Sequence, residues 1–400
     1  MAAVFAACIA AVVLWRVNGR IAWRATVTPL ASIIGSGFLI AAPLLVAEFG
    51  SAAIWAMMLL LLVAFALGHV VRFNIRFAEP NLSQDSPDRG LVLIERISDA
   101  ALTFAYMVSV AFYLALLGAF VLKGLGLENG TAAKWITTGL LAAIGGLGLR
   151  GGLRAMESVE TPVVGLKLVI IAGLCAALFA GMFVAGPGEL SWPDSLGFGG
   201  DGVAIILGML IITQGFETSR YLGVEFDAAT RVRTMRNAQL IASGIYLLFL
   251  VLVAPYLVNI EGGGSVTALV DVAGGMAFGL AAAVTIAAGA SQFTAAVADS
   301  IASTGLMREM SHGWITERRA YLLLVPVAMS IVWLTDVTEL ISYASRAFAI
   351  YYSLQCGVAM QTILSGREDI DLRKLRLIVY GALGLIAFAA ALFGLPVEGE

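Results

Sequence analysis

The sequence predicts an all-α polytopic membrane protein whose core contains two five-helix repeats of opposite orientation. Three observations predict this fold class: the composition, the length of the apolar runs and their spacing along the chain. Of the 400 residues, 60% are hydrophobic and only 13% are charged. Soluble domains carry about 45–50% apolar and about 25% charged residues, so this chain requires a lipid bilayer as its solvent.

Eleven apolar runs have roughly the 17–25 residues that a helix needs to cross a bilayer. Short connections separate them, and no soluble domain or linker is visible. A further apolar run, 1–15, precedes three arginines at 16–24. A cleaved signal peptide carries its positive charges before the apolar core, so a retained first helix is the favoured interpretation and a signal peptide the alternative. The predicted spans are 27–46, 52–72, 98–122, 133–149, 161–185, 202–223, 237–258, 273–300, 320–335, 338–364 and 375–395.

The lysines and arginines test this layout. If the segment after the first run is cytoplasmic and the spans alternate, nineteen of the 24 basic residues lie in inside loops. Only Lys123 and Lys134 lie outside, and only Lys167, Arg220 and Arg346 lie within spans. Cytoplasmic loops carry such an excess of positive charge. The prediction is therefore about twelve spans in the cytoplasmic membrane, with both chain ends outside.

The spacing of the spans indicates an internal repeat. Five spans within 27–185 match five within 202–364 after a shift of 180 residues, with a slip of about five residues. Since five is an odd number, the second copy enters the membrane from the opposite side, which makes an inverted repeat. The remaining predicted parts are an extra N-terminal helix with its linker, 1–26, and an additional C-terminal helix, 375–395.

The first span of the first repeat contains a candidate helix break. Gly35 and Gly37 flank Ser36 near its middle, and glycine adopts backbone torsions that other residues resist. Free backbone groups at membrane depth are tolerated where they face a cavity or a ligand, and the N-terminus of a half-helix would offer N–H groups to an anion. In the alternative interpretation, 35–37 is a groove of small residues for helix packing.

The first span of the second repeat contains a matching candidate. Gly215 lies 180 residues after Gly35, within a polar cluster that holds Gln214, Glu217 and Arg220. Polar side chains at membrane depth cost free energy in lipid and indicate a functional site. In the alternative interpretation these residues lie in the cytoplasm beyond a shorter helix, or Glu217 and Arg220 simply pair with each other.

Three segments together resemble the amino acid/polyamine/organocation (APC) transporter superfamily. They are the glycine signature at 33–38, the Gly-Phe-Glu turn at 215–218 followed by Glu225, and the entry to the fifth core span at 160–168. The resemblance covers 27–364. It implies a leucine-transporter-type fold, discontinuous first and sixth core helices, and secondary active transport by alternating access.

The resemblance also implies a substrate site. A substrate carboxylate would bind the first broken helix, an amino group would meet carbonyls of the second, and Phe216 would serve as an aromatic gate. Tyr106 and Tyr113 share one helix face and either line this site or form a packing stripe. Taken together, the candidate substrate-binding residues are Ile34, Gly35, Ser36, Gly37, Thr213, Gln214, Gly215, Phe216, Glu217 and Tyr113.

Uphill transport requires a coupling ion, and two are candidates. In sodium-coupled relatives the ion lies beside hydroxyls of the eighth core helix, which here are Ser291 and Thr294, and oxygen ligands suit a hard cation. Proton-coupled relatives place a lysine where sodium would lie, and Lys167 resembles that lysine in its position. Proton coupling is therefore the favoured hypothesis. Lys167 could instead extend to the inner interface. Arg220 and Arg346 are further candidates for coupling or gating, the latter through an ion pair.

Other classes of function find less support in the sequence. There is no HExxH motif, no paired intramembrane aspartate and no Ser/His constellation for an enzyme, and no basic tract for nucleic acid. The three cysteines and two histidines are dispersed, so neither a metal site nor a cofactor is expected. Asp299 is expected near the inner interface. The expected partners are an amino acid or amine, H⁺ or Na⁺, and the bilayer. The alternatives are an inorganic-cation carrier, a channel and a non-transporting membrane protein.

Overall fold

The structure is a computed structural model that describes most of the chain. The predicted helix at 1–15 and the first part of its linker lie outside the described residues. The described ranges are 21–127, 129–151, 157–185, 190–195, 197–258, 264–276, 279–366 and 371–396, without the side chains of 36, 157–163 and 224.

The apolar runs form helices, because a helix satisfies its backbone N–H and C=O groups internally where lipid offers no partner. After the helix Ala53–Phe73, the chain continues through a π-helical turn, Asn74–Ala78, into the short helical turn Glu79–Leu82. The helices are α1 (Ile21–Phe49), α2 (Ala53–Phe73), α3 (Arg89–Gly124), α4 (Gly130–Leu149), α5 (Glu157–Val184), α6 (Gly202–Gly208), α7 (Ala228–Leu257), α8 (Ala268–Met276), α9 (Leu280–Met310), α10 (Glu317–Leu334), α11 (Val337–Ser365) and α12 (Arg373–Phe393).

The predicted all-α membrane fold is confirmed. Among the described residues, nine helices are long and apolar enough to cross a membrane: α1 to α5, α7, α9, α11 and α12. The two other predicted spans in this part of the chain correspond to α10 and to the interrupted segment that begins with α6. Most boundaries lie within a few residues of the predicted ones.

One predicted span, 273–300, is wrong in its limits. The chain forms α8 first, turns at Gly279 with a φ of +80°, and then continues in α9 as far as Met310. The hydroxyls of Ser300 and Thr304 are satisfied within α9, because each donates a hydrogen bond to the carbonyl four residues earlier. Asp299 is buried within α9.

The core is built around α3, which packs along both α9 and α11. Helices that hold matching places in the two predicted repeats are neighbours: α2 packs on α7, α3 on α9 and α4 on α10. Glycines permit the close approaches, since a Cβ at Gly145 or Gly148 would overlap Val325 or Tyr321 across the α4–α10 contact. Small residues serve this role in lipid, where helices associate through packing. The boundaries of the repeats remain a prediction.

The segment after α12 joins α11 to α6. The Gly394 carbonyl accepts hydrogen bonds from Arg346 Nε at 2.9 Å and Nη2 at 2.6 Å, and the Leu395 N–H donates to the Ala204 carbonyl at 2.9 Å. A Cβ on Gly208 would overlap the Leu395 carbonyl oxygen. Among the described residues, the guanidinium of Arg346 binds this main-chain carbonyl oxygen and forms no ion pair, whereas the sequence predicted a gating ion pair.

This contact predicts a destabilised Gly208→Ala variant. The added methyl group must displace the Leu395 backbone, and overpacking of this kind costs about 1–3 kcal/mol. The melting temperature of the purified protein in detergent measures the effect.

Gly139→Ala is the matched control, because a Cβ at Gly139 meets nothing within 4 Å. We expect its melting temperature to equal or exceed that of the unmodified protein. Equal melting temperatures for the two variants would show that the C-terminal segment does not pack on α6 in the purified protein.

Candidate functional site

The predicted break in the second repeat is present. The helical segment α6 ends at Gly208, a 3₁₀ segment covers Leu210–Thr213, and a second 3₁₀ segment covers Phe216–Val224. Gly215 between them has a φ of +112°, a conformation that L-residues rarely adopt. A Cβ at this position would also lie 2.7 Å from the Ser32 backbone, so both torsion and space require glycine here.

The predicted break in the first repeat is wrong. The α1 helix is continuous from Ile21 to Phe49 through Gly35 and Gly37. Glycine permits a break but does not impose one, and here it permits a close approach: a Cβ on Gly37 would lie 2.6 Å from the Ile212 Cα. The packing-groove interpretation therefore holds, and α1 has no free N–H groups at 35–37 for a substrate carboxylate.

Side chains from distant helices satisfy the backbone at the break. The Tyr246 hydroxyl lies 2.6 Å from the Ile212 carbonyl oxygen and 3.0 Å from that of Ile33. The Ile211 N–H donates to Ser345 Oγ at 2.9 Å. Neither Tyr246 nor Ser345 was a sequence candidate, because only the packing of α7 and α11 brings them to this point.

The predicted substrate residues of the break are buried and bind one another. Glu217 Oε2 accepts hydrogen bonds from the Gly215 N–H at 2.9 Å and from the Tyr352 hydroxyl at 2.8 Å. Gln214 Nε2 donates to the Tyr113 hydroxyl at 2.9 Å. The ring of Phe216 stacks on that of Tyr352, with 5.1 Å between centroids. Thr213 donates to the carbonyl of Leu210 in its own 3₁₀ turn.

A cavity of about 600 Å³ lies between α1, α3, α5, α9 and the second 3₁₀ segment. Its exposed end has Arg24 and Glu225, on the side that the basic residues assign to the cytoplasm, and its buried end has Lys167 and Tyr106. Of the predicted site residues, Lys167 and Thr294 line it. Further lining residues are Thr28, Ala31, Ser32, Thr218, Tyr221, Leu222, Phe226, Ala295, Ala298, Ile301 and Ala302.

Sequence reasoning missed most of this lining, although a signal was present. Thr28 and Ser32 are four residues apart, as are Thr294 and Ala298, so each pair lies on one helix face. Small and hydroxyl-bearing residues on such faces leave room for a polar cavity. Which faces meet depends on helix rotation, and hydropathy does not specify that rotation.

The predicted coupling residues converge beside α1. The side chain of Lys167 is only 6% exposed, and its Nζ lies 3.5 Å from the Ala31 carbonyl oxygen. A Cβ on Gly35 would be 3.3 Å from that Nζ, and Ser291 Oγ donates to the Gly35 carbonyl at 3.4 Å. The hydroxyl of Thr294 bonds to carbonyls within α9. Lys167 thus lies within the protein and does not extend to the interface.

An ion-pair network anchors the second 3₁₀ segment. Arg220 binds Glu95 at 2.8 Å, Glu79 at 3.5 Å and Gln355 Oε1 at 2.8 Å. Arg231 binds Glu79 at 2.7 Å and donates to the Arg220 carbonyl at 2.9 Å. The Glu217–Arg220 pair considered from the sequence is not formed. The network instead ties the interrupted helix to the turn Glu79–Leu82 and to α3, α7 and α11.

The network predicts a large loss of stability in Arg220→Gln. Removing the guanidinium leaves Glu95 and Glu79 without this counter-charge, and breaking a buried pair costs about 3–5 kcal/mol. The apparent free energy of unfolding in detergent measures this loss of stability. Arg233→Gln, at an exposed position, is the control. Adding Glu95→Gln should recover part of the loss, because no uncompensated carboxylate then remains at that position. A double variant as unstable as the single one would contradict this account.

Comparisons with known proteins agree with this architecture. A family model described as an APC superfamily transporter matches residues 15–394. An uncharacterized protein of Aquifex aeolicus (strain VF5) is 38% identical over 387 residues, which cover 94% of this chain and 91% of that protein. The family is therefore established over nearly the whole chain.

Two solved structures share the fold at 12% identity and a TM-score of 0.56. One is Mhp1, a nucleobase-cation-symport-1 family transporter in a closed conformation with bromovinylhydantoin bound; the match covers 92% of this chain and 90% of that one. The other is a mutant of the Eremococcus coleocola manganese transporter, with 93% and 88% covered. The chain is a multi-pass membrane protein with a leucine-transporter-type fold, and it belongs to the APC superfamily of transporters.

Proposed function

We propose that this transporter moves an amino acid or a related amine across the cytoplasmic membrane by alternating access, driven by protons. Its family supports transport of a small molecule. The observation that carries the finer proposal is a cavity whose lining includes the exposed Arg24 and Glu225 and the buried Lys167.

The closed side of the molecule supports alternating access. Beyond the cavity, α1 contacts the first 3₁₀ segment so closely at Gly37 that no side chain fits between them. The C-terminal segment at 394–395 also holds α6 against α11. The exposed lining residues Arg24 and Glu225 lie on the opposite side, which the basic residues assign to the cytoplasm. This arrangement supports an inward-facing state, from which alternating access requires the other side to open.

The position of Lys167 supports proton coupling. A protonated lysine has three N–H donors, and Lys167 Nζ donates to the Ala31 carbonyl on α1 at 3.5 Å. Loss of the proton weakens the donor that links α5 to α1, so the protonation state of one side chain changes the contact between two helices. Because Lys167 also lines the cavity, a proton can reach it from the aqueous side.

Lys167→Ala should abolish proton-driven accumulation. In proteoliposomes with an imposed pH gradient, we expect accumulation of the transported amine or amino acid above equilibrium for the unmodified protein. In the variant we expect accumulation driven by the pH gradient to fall at least tenfold, because the proton-binding group is absent.

Lys134→Ala is the control, since Lys134 lies at the predicted outer side and pairs with Asp336. It should keep the response to the pH gradient. Persistent proton-driven accumulation in Lys167→Ala would refute the coupling role. Accumulation that follows an imposed sodium gradient would favour the sodium-coupled alternative, and flux indifferent to any gradient would indicate a channel.

A further inference from the structure

Four arginines lie at one end of three neighbouring helices, on the side that the basic residues assign to the cytoplasm. We refer to them as the arginine cluster. Their exposure differs: Arg72 is buried, Arg376 is half-buried, and the other two are exposed. The cluster consists of Arg72 in the last turn of α2, Arg76 in the π-helical turn after it, Arg236 on α7 and Arg376 in the first turn of α12.

Direct contacts bring these helix ends together. The guanidinium of Arg72 donates a hydrogen bond to Gln239 Oε1 on α7, and Gln239 lies three residues after Arg236, on the same helix face. The guanidinium carbon of Arg376 lies 5.5 Å from the ring centroid of Phe73, the residue after Arg72. The cluster therefore spans the junction of α2, α7 and α12.

The described part of the chain does not neutralise this positive charge. Arg72 is only 5% exposed, and its hydrogen-bond acceptors are neutral: the amide oxygen of Gln239 and the Phe65 carbonyl at 3.3 Å. Among the described residues, no carboxylate forms an ion pair with any member of the cluster, whereas Arg231 on α7 pairs with Glu79 at 2.7 Å. Buried charge without a counter-charge is unfavourable, so the cluster suits an anion from outside the protein.

The apolar surface beside the cluster favours a lipid over a soluble anion. Leu240 on α7 is 54% exposed and Val379 on α12 is 41% exposed. They follow Arg236 and Arg376 by four and three residues, so each lies one turn deeper in the membrane on the same helix face. A soluble anion would leave these side chains uncovered, whereas the acyl chains of a phospholipid cover them.

We propose that the arginine cluster binds the phosphate of an anionic phospholipid of the inner leaflet, with its acyl chains along α7 and α12. Guanidinium groups bind phosphate oxygens through charge-assisted hydrogen bonds, and basic pockets between membrane helices on the cytoplasmic side suit anionic headgroups. Since α12 packs chiefly on α11, a phosphate bound by Arg376 and Arg72 also ties α12 to α2. The inference concerns a partner of the fold and is separate from the transported substrate.

Lipids with identical acyl chains test the site in the full-length protein, purified in neutral detergent and stripped of lipid. Phosphatidylglycerol is compared with phosphatidylcholine, in which choline compensates the phosphate charge. Bound lipid is measured by native mass spectrometry and stability by the melting temperature. We expect phosphatidylglycerol to bind at least tenfold more tightly and to raise the melting temperature. Inorganic phosphate at the same concentration should not raise it.

The double variant Arg236→Gln/Arg376→Gln tests the assigned residues and leaves the buried Arg72 in place. We expect its affinity for phosphatidylglycerol to fall at least tenfold. The matched control is Arg318→Gln/Arg319→Gln, which removes two exposed arginines from the first turn of α10 on the same side. The control should keep the affinity of the unmodified protein.

Three results would overturn the proposal. Equal affinities of the unmodified protein for the two lipids would exclude an anionic headgroup site, and this comparison holds even if a variant does not fold. Equal losses in the two double variants would show attraction by net charge in place of a site at the cluster. A melting temperature raised equally by inorganic phosphate and phosphatidylglycerol would indicate a soluble anion. Each of these results would leave the proposed function intact.

Discussion

The structure depends on one constraint: backbone N–H and C=O groups inside a bilayer need partners within the protein. Regular helices meet this requirement on their own, but the interrupted helix does not do so between Gly208 and Phe216. Side chains from other helices supply hydrogen-bond partners to the backbone of this segment. Tyr246, Ser345 and the carboxylate of Glu217 each bind a backbone group of α1 or of the interrupted helix.

These bonds explain why so much polarity lies at the centre of a largely apolar chain. Once Glu217 is buried to bind the Gly215 N–H, its second oxygen has no hydrogen-bond partner among the described residues. The helix break therefore creates the structural need for these polar side chains. Tyr106 and Lys167 form part of the buried lining of the cavity.

Glycine has opposite effects in the two repeats, and sequence alone did not distinguish them. Gly215 lies in the left-handed region and the helix is interrupted there. Gly35 and Gly37 are helical, and their missing side chains make room for Lys167 and Ile212. The same residue type at matching repeat positions thus supplies torsional freedom in one helix and close packing in the other. The difference lies in the neighbouring helices, which no local pattern encodes.

The sequence by itself determined the membrane environment and most helix limits, and its basic loops predict an orientation. These properties follow from hydropathy, charge and residue spacing along a continuous stretch of chain. Only the tertiary structure decided that the helix is interrupted at Gly215 while α1 is continuous, that Asp299 is buried, and which partners Arg220 and Arg346 have. The physical reason is that a buried polar group is satisfied by whichever helix packs against it. Ser109 and Asp299 are 190 residues apart, and Glu217 and Tyr352 are 135 apart.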